Sequence, residues 1–287
     1  MAFDTTRLVE QIKIKGSLPE GRFEDQELLD LAYDAMLSDM VPLILSTREE
    51  FYVRRYDFTI VSGVDDVPIP SRSIGGTLRE VKYVLNSRIY NIGRIDLEDL
   101  EEVQSGQPKN FYLKGNDLIL YPSPSASEGE IWLYYYLRPS RFVSVAECGR
   151  ITAINSGTNT VSLTIPSSWT TSNTFDLVKG TAHFDILSLD LSASSVGSGS
   201  ITFTSSLASR LAVGDYVCLA EETCFPFIPP EAHTMLVQAA VATALESIGH
   251  PSAATMASKA EALKVSYRSL IGTRIQGAPK ALQTPLM

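Results

Sequence analysis

The stretch Asn110–Val143, NFYLKGNDLILYPSPSASEGEIWLYYYLRPSRFV, constrains the fold more than any other part of the chain. It reads as sheet strands and a loop. Phe111, Leu113, Leu118 and Leu120, then Ile131, Leu133, Tyr135 and Leu137, fall near period two among β-branched and aromatic residues. Lys114-Gly115-Asn116-Asp117 is a turn between the first two runs, with Gly and Asn available for positive φ. Pro122 and Pro124 end the second run, because proline cannot donate to a ladder. Arg138-Pro139 ends the third.

Helical patterns flank this β element. Asp4 or Thr5 can cap a short helix through Ile14, with Gly16 as its stop. A stronger helix spans about Asp25–Met40, with Leu28, Leu29, Ala32, Met36 and Met40 as its apolar stripe. Pro42 sits where that helix must stop or restart. Phe51–Val61, Val67–Ile69 and Thr77–Leu85 read as strands, and Asp96–Gln104 as a short acidic helix. After Pro229-Pro230 a helix runs to about Ile248, Gly249-His250-Pro251 breaks it, and a second covers about Ser252–Ile271. Leu236, Ala239, Ala240, Thr243 and Ala244 form a small-residue face opposite Met256, Ala260, Leu263 and Tyr267.

Between these helices the composition shifts. From Ser144 to about Thr223 the chain is rich in Ser, Thr and Gly and poor in charge, with strand candidates separated by turn signals. That pattern suggests a small all-β barrel or sandwich, in which Ser192–Ser200 is a flexible hairpin tip or loop. From Gly272 the tail contains Gly277, Pro279 and Pro285, and its charged residues are Arg274 and Lys280. It reads as an extended arm. The fold class is therefore α+β: a helical body with an antiparallel β element, an inserted all-β module and an extended C-terminal arm. The corresponding domains are residues 1–143 with 225–271, residues 144–224, and residues 272–287.

The residues offer little chemistry. His183, His233 and His250 lie in no HExxH spacing, Gly75-Gly76-Thr77 lacks the lysine of a P-loop, and no G-x-S-x-G elbow occurs. Asp65-Asp66 and the acidic run Asp96–Glu102 lack EF-hand spacing and read as solvated surface. Cys148, Cys218 and Cys224 are too few for a disulfide framework, lack metal-clip spacing, and read as buried small hydrophobes or free thiols. No catalytic residue, metal site or cofactor is expected. The N-terminus, with Asp4, Arg7, Glu10 and Lys13, is not expected to be a signal peptide, nor any run to span a membrane. The net charge of −9 argues against a DNA-wrapping protein, whose affinity would come from Lys and Arg on phosphates. It is compatible with a protein that DNA passes through.

The order of the pieces resembles the head-to-tail adaptor (connector) proteins of tailed bacteriophages. Three segments carry the likeness: Pro108–Pro139; Val213-Gly214-Asp215-Tyr216 with Ile228-Pro229-Pro230-Glu231-Ala232-His233 and the Ala-rich helix; and Arg274-Ile275-Gln276-Gly277-Ala278-Pro279-Lys280. The Ser144–Thr223 segment departs from compact members. The resemblance implies a non-enzymatic virion protein in the neck between head and tail, assembled in the host cytoplasm. Its implied partners are the portal protein, a tail or nozzle protein, and further copies of itself in a ring, a dodecamer by analogy. Double-stranded DNA would pass without sequence-specific binding, and no membrane is involved. The arm would dock on the portal through Arg274, Ile275, Gly277, Pro279, Lys280, Leu282 and Leu286. A tail-completion or stopper protein, and a β-rich surface-binding module holding sugars, are the alternatives. A sugar-binding module would want exposed Trp and Tyr, of which the β segment has Trp169 and Tyr216.

Overall fold

The protein is described by a computed structural model covering residues 3–100, 105–180 and 185–270. Its chain divides into two compact units: residues 1–48 with 139–287, and residues 49–138.

The first unit begins with helix α1 (Thr5–Gly16). The Asp4 carboxylate accepts from the Arg7 backbone N–H at 2.9 Å, which satisfies one orphan donor of the first turn. Ser17, not Gly16, takes the left-handed conformation beyond the last turn, with φ 47°. Helix α2 (Asp25–Ala35) passes into a π-helical turn over Met36–Met40 and then into α3 (Val41–Thr47). The sequence reading of one helix to Met40 thus resolves into two α-helices joined without a loop. Pro42 supplies no N–H to the preceding turn, and the wider turn just before α3 accommodates that gap. Leu28, Leu29, Ala32, Met36 and Met40 are all buried, so the apolar stripe continues through the irregular turn.

Among its described residues the second unit is strand and loop apart from short 3-10 turns. Its strands are β1 (Val53–Thr59), β2 (Asp66–Pro68), β3 (Ser73–Leu85), β4 (Arg88–Asn91), β5 (Gly93–Arg94), β6 (Asn110–Lys114), β7 (Asp117–Tyr121) and β8 (Glu130–Leu137). They form two four-stranded sheets, in the orders β1-β8-β3-β4 and β2-β7-β6-β5. One apolar core serves both sheets, with Ile60, Val67, Val81, Phe111, Leu118 and Leu133 among its members. Residues 49–138 are therefore richer in sheet than a single β element would be. The Asn110–Tyr121 hairpin forms as read, with Gly115 at φ +62° in its two-residue turn. The third run, β8, does not join that hairpin. It lies between β1 and β3, strands that precede it by tens of residues. Gly75 and Gly76, with φ +59° and +65°, sit where the β3 register slips against β8. They make a bulge, which accounts for a glycine pair that has no phosphate-binding role.

The first unit resumes with β9 (Arg141–Phe142), β10 (Gly149–Asn155), β11 (Thr160–Leu163), β12 (Thr174–Val178), β13 (Ile186–Gly197), β14 (Ser200–Phe203), β15 (Tyr216–Leu219) and β16 (Glu222–Thr223). Six of these strands close into a barrel in the order β10-β11-β14-β13-β12-β15. Closure leaves no free strand edge. Ile151, Val161, Leu163, Trp169, Phe175 and Ile201 fill its interior. The segment read as a flexible tip, Ser192–Ser200, is a strand for most of its length, with its turn confined to Ser198-Gly199. Serine's weak strand preference is overridden by a partner on the ladder, and the Ser194 hydroxyl donates across it to the Thr202 carbonyl at 3.1 Å. Helices α4 (His233–Ser247) and α5 (Ala253–Leu270) follow.

Helix α4 packs against α1, α2 and α5. It is buried on nearly every side, through Met235, Leu236, Val237, Ala239, Ala240, Val241, Ala242, Ala244 and Leu245. A helix apolar all round is a core helix, so the one small-residue face seen in the sequence understates its burial. In α5 Ala260 is buried, and Met256, Leu263 and Tyr267 are half-buried on the same side. Ala240 is 1% exposed. Replacing it with Trp should overpack this contact and destabilise the protein by about 1–3 kcal/mol or more. Chemical denaturation of Ala240→Trp beside the wild type measures the difference. An unchanged midpoint would place Ala240 outside the core.

Candidate interaction surfaces

The polar groups buried in the first unit serve structure. Asp176 and Asp215 are fully buried in or beside the barrel. The Asp215 carboxylate accepts from the backbone N–H groups of Gly180 at 3.1 Å and Ala212 at 2.9 Å. Asp176 accepts from those of Asp190 at 3.0 Å and Glu221 at 3.3 Å. Charge-assisted bonds of this kind fix loop backbones and leave the carboxylates occupied. His250 accepts from the Ser252 backbone N–H through Nδ1 at 3.2 Å in the loop before α5. His183 lies outside the described residues, as do residues 101–104; the start of the segment read as an acidic helix, Asp96–Gln104, is a 3-10 turn over Leu97–Asp99, and Leu100 is extended. Among the described residues no nucleophile, base and orienting group come together.

His233 opens α4 and stacks on the Phe3 ring, with centroids 4.2 Å apart. Burial lowers its pKa from 6.5 to about 4; Arg7 pushes in the same direction and Glu231 opposes both. The ring is therefore neutral in the folded chain at neutral pH.

Two outward faces have the composition of contact surfaces. In the second unit β8 alternates buried Ile131, Leu133 and Tyr135 with Trp132, Tyr134 and Tyr136 on the opposite side. The Arg55 guanidinium lies 4.1 Å from the centroid of the Trp132 ring, and the Lys82 ammonium 5.2 Å from that of Tyr134. Both are diagonal neighbours across the sheet, since Arg55 pairs with Tyr134 and Lys82 with Trp132. Tyr136 donates to Glu49 at 2.9 Å, and Arg79 pairs with the same carboxylate at 3.1 Å. Each cation–π contact contributes about 0.5–1 kcal/mol at an exposed site. Together they hold large side chains in set rotamers, and Trp, Tyr and Arg are the types enriched where proteins meet.

In the first unit α5 turns Val265 and Leu270 to solvent at 76% and 64% exposure. A cleft of about 530 Å³ runs beside it, lined by Pro42, Leu43, Ser46, Lys264, Val265 and Arg268 among others. Lys264 bridges Asp39, at 2.7 Å, and Glu261 along its wall. The arm residues Arg274, Ile275, Gly277, Pro279, Lys280, Leu282 and Leu286 lie outside the described residues.

Sequence reasoning missed one cluster. Cys148, Cys218 and Cys224 are all buried, and their sulfurs lie within 4.8 Å of one another. Cys218 Sγ donates to Cys148 Sγ at 3.1 Å. Cys148 precedes β10, Cys218 lies in β15, and Cys224 follows β16. No spacing rule joins them, because barrel closure brings them together; the pairing of β10 with β15 was the missing information.

The Trp169 ring, 6% exposed, packs edge-on against Phe175 inside the barrel. Tyr216 is partly buried against Phe225. Neither offers the open aromatic platform that a sugar-holding module would want.

A family model described as SU10 adaptor protein matches residues 8–166, more than half of the 287-residue chain. The matched span runs from α1 through the second unit and ends just past β11. It contains the first of the three segments that carried the resemblance; the other two lie beyond it. No curated protein matches the chain.

The neutral His233 makes stability depend on pH. Its pKa is 6.5 when unfolded and about 4 when folded. Below pH 6.5 the unfolded chain gains a proton that the folded chain refuses, so stability falls as pH drops from 6.5 towards 4. By pH 5.5 this group should remove about 1.4 kcal/mol relative to pH 8, at 1.36 kcal/mol per pKa unit. In urea titrations at both pH values, His233→Phe should show a loss smaller by that amount. Equal losses in the two proteins would mean that the imidazole titrates normally.

Proposed function

Because the chain belongs to the SU10 adaptor family of phage head-to-tail adaptors, we propose that it is the subunit of an oligomeric neck ring. The ring docks on the portal, links the capsid to a tail or nozzle protein, and leaves a channel for double-stranded DNA. The family match over residues 8–166 carries this reading. The protein acts as a structural component of the virion, with no catalytic step of its own. Its site is the neck, and it assembles before release from the host cytoplasm.

Several physical features support the reading. In a closed ring every subunit presents two different faces to its neighbours, a heterologous contact completed by rotation. The aromatic ladder of β8 and the outward apolar positions of α5 are proposed as two such faces. A net charge of −9 disfavours adhesion to passing DNA, since non-specific affinity grows with the number of phosphates neutralised. Among the described residues no helix is long and apolar enough to cross a membrane.

The barrel of residues 144–224 is proposed to face the tail, and the arm to dock on the portal. Residues 1–143 and 225–271, which hold the helices and the two sheets of residues 49–138, would form the body of the adaptor. Arg274 and Lys280 give the arm a positive bias on an acidic chain, while Ile275, Leu282 and Leu286 are apolar anchors. Gly277 and Pro279 keep it from continuing α5 as a helix. An extended segment gains apolar burial and backbone hydrogen bonds once docked, which offsets the entropy of ordering it.

Two measurements test this reading. Removing residues 274–287 should leave the melting of the free subunit unchanged and weaken portal binding at least about tenfold, or 1.4 kcal/mol. Full affinity in the truncated chain would remove the arm from the interface. Multi-angle light scattering, on the protein alone and mixed with portal, should find a ring or a monomer that becomes a ring. A closed dimer under both conditions would count strongly against an adaptor.

A further inference from the structure

We propose that Cys148, Cys218 and Cys224 are a structural site for one thiophilic metal ion of the zinc class, which ties the two ends of the barrel to the segment that leads into α4. The three thiols come from three separate segments and converge on one point, with all sulfurs within 4.8 Å of each other. Cys218 and Cys224 are fully buried and Cys148 is 7% exposed. The group is walled by Val143, Val178 and Phe225. Thiolates are the soft donors that Zn²⁺ takes readily; the three cysteines would fill three of its four tetrahedral positions, and a water would take the fourth.

Charge balance favours a divalent ion. Three thiolates around Zn²⁺ leave one net negative charge, whereas around Cu⁺ they leave two, a larger penalty in an apolar surrounding. Binding exchanges up to three sulfur-bound protons, released to solvent, for three metal–sulfur bonds; nothing is oxidised or reduced. Proton release makes the affinity rise with pH, and a closed site makes loading part of folding.

The location gives the ion a mechanical task. Gly149, next to Cys148, pairs with Val217, next to Cys218, at the seam that closes the barrel. The Cys224 carbonyl accepts from the Thr5 backbone N–H at 2.9 Å, which joins the exit of the barrel segment to α1. An ion at this point would cross-link the seam and the exit together.

The competing reading is that the cysteines are only small apolar side chains filling a junction. The full chain would be expressed in zinc-supplemented medium, purified under reduction, dialysed against a chelator, and analysed for metal by mass spectrometry. About one zinc per chain should remain, and X-ray absorption should find three sulfurs around it. Refolding with Co²⁺ in place of zinc should produce thiolate-to-cobalt absorption. In Cys224→Ala, which removes the ligating sulfur, zinc affinity should drop by more than the roughly 10–100-fold that losing an outer-shell partner costs. Wild-type protein without zinc and without a thiolate–cobalt band would overturn the proposal, whatever the variants do. So would zinc retained equally by Cys224→Ala and Cys148→Ala, which would place the ion elsewhere.

Discussion

The parallel pairing of β9 with β16 is the contact on which the first unit depends. Arg141 donates its backbone N–H to Glu221, and Val143 to Thr223, at 2.8 and 3.0 Å. These two bonds set the entry and exit of the barrel segment side by side, although about 80 residues of chain lie between them. Phe142, fully buried, packs edge-on against Tyr33 of α2. The Thr5 hydroxyl, at the start of α1, donates to the Val143 carbonyl at 2.8 Å. The β9–β16 junction is therefore both the foot of the barrel and a wall of the helical core. A segment whose ends are adjacent can be long without disturbing the structure it leaves, because the cost of closing a loop grows only slowly with its length.

How much of this was legible depended on the range of the interactions. The Asn110–Tyr121 hairpin could be read because its turn and both strands lie within a dozen residues. A barrel or sandwich could be expected between Gly149 and Leu219 because a charge-poor, Ser/Thr-rich composition with frequent turns leaves few other folds open, although β12 was not among the strands read there. The position of β8 between β1 and β3 could not be read. Its alternation fits any sheet with one wet face, and nothing local chooses its neighbours. Ser192–Gly197 was misjudged for the opposite reason: its local preference says loop, and the ladder overrides it. The cysteine cluster was invisible, since Cys148 and Cys218 meet only after the barrel closes. The C-terminal arm read from Gly and Pro placement lies outside the described residues. The cation–aromatic ladder was not legible, because Arg55, Lys82 and Trp132 come from three strands.

The same range argument bears on function. An adaptor needs rigid faces, and rigidity here comes from non-local order: a closed barrel without edges, two sheets around one core, and a helix buried on nearly every side. Each of these removes conformational freedom before any partner arrives, so less entropy is left to lose on assembly. The exposed pairs around Arg55 and Arg79 add little to folding stability, because solvent-exposed ion pairs contribute only about 0–1 kcal/mol. They can be given up at small cost when a neighbouring chain offers better partners. Buried order that stays fixed, beneath surface charge that can be exchanged, is the division of labour a subunit needs if it is to be monomeric when made and held in a ring afterwards.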